Sequence, residues 1–64
     1  MHALEIINET QRFVQTKAPN YFFPQWVAEA VGCSYAEAFL ALIVLEQWKK
    51  VGRRRDGRWF LVVS

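Results

Sequence analysis

The sequence predicts an α+β domain of three helices followed by a C-terminal β-hairpin. Three observations carry this reading. Pro24 and Gly32 bracket a short apolar segment, Ser34-Tyr35-Ala36-Glu37 has the form of a capping box, and Asp56-Gly57 separates two runs that suit strands. Sixty-four residues make one domain, taken as residues 1–64. A chain this short buries only about 60% of its unfolded surface, so its core has to be rich in apolar groups. With 53% hydrophobic residues and a 16% aromatic share, it is.

The first helix is expected over residues 2–16. Ala3, Ile6, Ile7, Phe13 and Val14, with Leu4 beside them, recur at helical spacing, and Glu5, Asn8, Glu9, Gln11 and Arg12 fill the wet face. Lys17-Ala18-Pro19-Asn20 ends it, since Pro19 biases Ala18 away from helical geometry. Tyr21-Phe22-Phe23 reads as a brief strand or extended link. Pro24 opens a second helix over 24–31, where its missing N–H costs nothing, and Gly32 closes it. Ser34 caps a third helix expected to run to Lys49, with Lys49 and Lys50 near its negative end.

Val51 to Val63 reads as a hairpin. A two-residue type I′ turn at Asp56-Gly57 pairs Arg55 with Arg58, Arg54 with Trp59, Arg53 with Phe60 and Val51 with Val62. Val51, Phe60 and Val62 then share one face, and Arg54, Trp59, Leu61 and Val63 the other. Arg54 beside Trp59 suits a cation–π pair.

Charge is unevenly placed. Lys49, Lys50, Arg53, Arg54, Arg55 and Arg58, with Asp56 the sole acid among them, give residues 49–58 a charge of +5 within a chain of net +2. The other residues carry Arg12 and Lys17 against Glu5, Glu9, Glu29, Glu37 and Glu46. A basic end on an acidic body suits an anionic partner.

Three helices, a tight turn between the second and third, and a hairpin resemble the winged helix-turn-helix superfamily, in the manner of bacterial transcription regulators. Val27-Ala28-Glu29-Ala30-Val31-Gly32-Cys33-Ser34, Leu42, Leu45, Val51 and the arginine-tipped hairpin carry the resemblance. Ala28 is the small residue four before the turn glycine, Cys33 the apolar residue after it, and Ser34 the opener of the third helix; helices crossing over so short a turn need small residues. The resemblance implies double-stranded DNA as partner and a role in transcription regulation. The third helix would enter the major groove, and the wing would touch the backbone or minor groove.

Arg53, Arg54, Arg55 and Arg58 suit phosphate or minor-groove contacts, with Lys49 and Lys50 assisting. The competing account is a solvated charged hairpin that keeps its edges from aggregating. Ser34 and Tyr35 are the polar groups at the start of the third helix that reach a duplex; Tyr35 either stacks on a base or sugar or packs on the wing. Base edges are read by Arg, Lys, Asn or Gln, and residues 35–46 contain none of these. Nine of the ten residues from Ala36 to Leu45 are apolar. Ala38, Ala41, Leu42 and Leu45 form one stripe, whereas Phe39, Leu40 and Ile43 point elsewhere. Either the hairpin covers that second side within the monomer, or Phe39, Leu40 and Ile43, with Trp26, dock a protein partner or a second copy.

An enzyme is not expected. One His, one Cys and three glycines assemble no nucleophilic triad, zinc cluster or phosphate loop, so no cofactor or metal is expected either. Cys33 reads as a small residue at the helix crossing, His2 as a surface residue, and Trp59 as either core edge or partner surface. A lone cysteine, no basic leader at Met1-His2-Ala3-Leu4-Glu5 and no apolar run near the roughly 20 residues that span a bilayer suit a cytoplasmic protein without membrane contact.

Overall fold

The ends of the second helix and the start of the third lie where local chemistry sets them, and the hairpin register lies where burial sets it. A computed structural model describes residues 2–62. Its elements are α1 (Ala3–Thr16), α2 (Pro24–Val31), α3 (Tyr35–Gln47), β1 (Val51–Arg53) and β2 (Trp59–Leu61), an α+β arrangement. Among the described residues no single helix is long and apolar enough to cross a membrane.

Pro24 at the start of α2 and Gly32 at its end (φ +83°) confine that helix to eight residues. Gly32-Cys33-Ser34 then turns the chain by 109° into α3. Both arms of the capping box form: Glu37 N–H donates to Ser34 Oγ at 3.1 Å, and Ser34 N–H donates to Glu37 Oε1 at 3.0 Å. The expected stripe Ala38, Ala41, Leu42 and Leu45 is the buried face of α3. Ala38, Leu42 and Leu45 of this stripe pack with Val14, Phe22, Val27, Ala28, Val51 and Trp59. On α1 the buried positions are Ile6, Thr10 and Val14. Thr10 is fully buried, and its hydroxyl has no hydrogen-bond partner among the described residues.

The third helix ends two residues before the expected Lys49. Trp48 is its C-cap, and Lys49 takes the left-handed conformation at φ +61°. Lys50 N–H donates to the Leu45 carbonyl at 2.9 Å and Lys49 N–H to that of Glu46 at 3.0 Å. This is a Schellman closure built on lysine where glycine is usual. It swings the chain off the helix in time for Val51 to enter the core.

The hairpin departs from its expected register by one residue. Val51 pairs with Leu61, Gly52 with Phe60 and Arg53 with Trp59. The turn is a three-residue loop: Arg54 N–H donates to the Arg58 carbonyl at 2.7 Å, Gly57 N–H donates to that of Arg54 at 3.2 Å, and Gly57 sits at φ +93°. That is a type I turn closed by a glycine bulge rather than the expected two-residue turn; Asp-Gly serves both, because each needs glycine's freedom at positive φ. Burial selects between them. A one-residue slip inverts every side chain, and the observed register puts Val51, Trp59 and Leu61 on one face. Trp59 is 1% exposed. Phe60, expected to share a face with Val51, therefore lies on the opposite face from it, and Arg53 rather than Arg54 lies over Trp59. Val63 lies outside the described residues.

Phe22 adds a third, one-residue strand. It pairs antiparallel with Trp59, each N–H donating to the other's carbonyl at 2.9 Å. Tyr21-Phe22-Phe23 is thus a link, bent at Tyr21, that touches the sheet at one point.

Candidate nucleic-acid interface

The sheet sorts the four arginines by face. Arg53 shares the inner face with Trp59; its guanidinium lies 5.3 Å from the Trp59 ring centroid and 3.7 Å from Glu46 Oε1 on α3. The body of the domain therefore holds Arg53 and offsets part of its charge. Arg54 and Arg58 belong to the outer face. Arg54 lies 5.6 Å from the Phe60 centroid, and Arg58 lies 4.8 Å from that of Tyr21 while pairing with Asp56 at 3.1 Å. Arg55 is at the exposed tip, and neither Arg54 nor Arg55 has an ion pair among the described residues. Exposed pairs such as that of Arg58 and Asp56 contribute about 0–1 kcal/mol and yield to a phosphate at little cost.

The antiparallel register extends the outer face beyond the hairpin. Phe22 is buried where it pairs with Trp59, and its chain neighbours Tyr21 and Phe23 lie outside the core, with the Arg58 guanidinium 4.8 Å from the Tyr21 ring centroid. The rings of Tyr21 and Phe23 interlock with Trp26 from the first turn of α2. Tyr21 and Phe23 meet edge to face at 6.1 Å, Phe23 and Trp26 likewise at 5.1 Å, and Tyr21 and Trp26 are tilted at 6.1 Å. Tyr21 and Trp26 are 40% and 39% exposed. Sequence reasoning missed this face because Phe60 joins it only in the observed register. The alternation Tyr21-Phe22-Phe23 around one buried ring was the available signal.

The start of α3 offers less than expected. Ser34 is committed to its cap, and the Glu37 carboxylate occupies the donor that an incoming phosphate would seek. That hydrogen bonding holds the Glu37 carboxyl below the usual carboxylate range. Tyr35 is exposed and stacks on Phe39 at 6.3 Å. Lys49 and Lys50 are exposed at the corner between α3 and β1. Cys33 is half-buried, and burial, with Glu37 nearby, raises its thiol pKa. His2 is exposed and caps α1, its Nδ1 accepting from Leu4 N–H at 3.4 Å.

The apolar residues of α3 divide. Phe39 packs edge-on against Trp59 at 6.0 Å, and Phe39 and Ile43 both lie against the core. Leu40 is 63% exposed. It borders an open apolar groove of about 240 Å³ between α1 and α3, lined by Ala3, Ile6, Ile7, Ala41 and Val44, with Glu37 at its edge. The ring contacts of Trp26 are to Tyr21 and Phe23 rather than to Phe39. Among the described residues no cluster of His, Cys, Asp and Glu could hold a metal ion. Comparison with family models, with curated proteins and with solved structures finds no significant match to this chain.

Proposed function

We propose that this chain is a winged helix-turn-helix domain that binds nucleic acid, chiefly double-stranded DNA, with the hairpin as its wing. The observation that carries the reading is the pair Arg54 and Arg55, exposed at the end of a hairpin and without ion pairs among the described residues. The tight turn at 109° between α2 and α3 supports the helix-turn-helix assignment. Binding is mainly to phosphates, because residues 35–46 of α3 carry no Arg, Lys, Asn or Gln to read base edges. Selectivity for sequence is therefore weak, and a regulatory role would draw its specificity from elsewhere. Lys49 and Lys50 add charge at the far end of the hairpin.

Titration of a short duplex at several salt concentrations tests this. About four phosphate contacts give a log–log slope of roughly −3 to −4, and replacing Arg54 and Arg55 with alanine removes about two units of it, equally on unrelated sequences. Absence of any complex at low salt would end the reading.

A second reading is favoured by one observation. Leu40 is a large apolar side chain left outside the core beside an apolar groove. In this reading α3 docks a second copy of the chain or another protein, and Leu40 anchors the contact.

A further inference from the structure

The outer face of the hairpin and the segment beside it bring rings and arginines together: Tyr21, Phe23 and Trp26 form one cluster with Arg58 over Tyr21, and Arg54 lies over Phe60. We infer that this face is a stacking platform for unpaired nucleobases, so that the domain holds single-stranded nucleic acid, or the strand leaving a duplex end. The inference rests on the wing reading above and extends it to a different surface.

Four features argue for that occupant. Duplex DNA offers its backbone and groove edges, and its base faces are hidden in the stack; exposed rings gain little from it. Single strands present both a π-face and a phosphate at every nucleotide, which is the combination of aromatic platform and cationic groove that such proteins use. Two of the rings are large, amphipathic and accessible: Tyr21 at 40% and Trp26 at 39%. Their mutual contacts at 5.1–6.1 Å, through Phe23, hold them in place before any ligand arrives. Two cations already sit on rings of this face, Arg58 on Tyr21 and Arg54 on Phe60, and neither is buried. They would bring phosphates to the edge of the same surface that stacks the bases. A proline-rich peptide also uses aromatic grooves, but it has no charge for two arginines to meet.

The test compares a fluorescein-labelled oligothymidylate of about a dozen nucleotides with a blunt duplex of the same length, using the full chain. The expected result is that both bind. Tyr21→Ala and Trp26→Ala should each weaken the single strand by about five- to thirty-fold and leave the duplex within about two-fold. Tyr21→Phe keeps the ring and should keep the affinity. If an alanine variant fails to fold, a Trp48→Phe background decides instead: it leaves Trp26 and the buried Trp59, and unlabelled oligothymidylate should quench the Trp26 emission. Duplex binding without single-strand binding, or single-strand binding that both alanine variants leave within about two-fold, would overturn the platform while sparing the wing. Binding of neither nucleic acid, or of a proline-rich peptide in their place, would overturn both.

Discussion

The ring of Phe60 occupies the space that a side chain at Gly52, its cross-strand partner, would need. A strand glycine normally gains stability on conversion to alanine, since the unfolded chain loses freedom. Here a Cβ would displace the ring from its seat and from Arg54. Gly52→Ala should therefore cost about 0.5–1 kcal/mol, and in a Phe60→Ala background it should cost nothing or stabilise. Chemical denaturation of the two single variants and the double variant, read as a cycle, measures the coupling.

Thr10 is a second departure from plain packing. Its hydroxyl is buried without a partner among the described residues, on a helix face otherwise made of Ile6 and Val14. Thr10→Val keeps the shape and removes the desolvated oxygen. It should stabilise by about 1 kcal/mol, seen as a higher denaturation midpoint with unchanged slope.

Lys49 holds a conformation that suits glycine, at φ +61°. Lys49→Gly should relieve more strain than it adds in unfolded-state entropy, a net gain of about 0.5–1 kcal/mol in thermal unfolding. A loss of stability on this substitution would mean that the lysine side chain contributes more than its backbone costs.

The capping box makes a pH-dependent contribution of known sign. Glu37 has a folded-state pKa below its ordinary value because it accepts from Ser34. Its contribution is present above the unfolded carboxylate range near about pH 4.3 and is lost as pH falls through the lower folded value. Glu37→Gln keeps the acceptor and removes the charge, so its stability should fall less steeply on acidification than that of the wild type. Ser34→Ala should cost about 1 kcal/mol at neutral pH.

Phe39 and Leu40 are adjacent in sequence and differ in what they touch. Phe39 bears on Trp59 and Tyr35, so Phe39→Glu should destabilise by about 1.5–3 kcal/mol. Leu40 is mostly exposed, so Leu40→Glu should leave folding intact. Sedimentation of the wild type at high concentration, with Leu40→Glu as control, decides whether α3 self-associates. A monomer in both removes the support for the docking reading.

What could be read in advance was set by local chemistry. Pro24, Gly32 and the pair Ser34 and Glu37 fix helix ends through donors and acceptors within a few residues, and α2 and the start of α3 follow from them. The end of α3 was not readable, because nothing local marks a lysine for left-handed backbone. The hairpin itself was legible in Asp56-Gly57, but its register was not. Two turns fit that dipeptide, and the choice depends on the contact of Trp59 with Phe22 and Phe39, far away in sequence. The same gap bears on the candidate site: the arginines are visible as a charge run, whereas Phe60 joins the other rings only once the register is known.

The pairing of Phe22 with Trp59 has a thermodynamic consequence. It joins a segment before α2 to the last strand, so the rings of 21–26 and the arginines of 54–58 are neighbours only in the folded chain. Any ligand that needs both halves binds the native state alone and shifts the folding equilibrium by mass action, by about 2.7 kcal/mol at a hundred times its dissociation constant. For so small a domain that corresponds to a rise in melting temperature on the order of 10 °C or more. Occupancy of this surface and persistence of the fold are therefore one equilibrium.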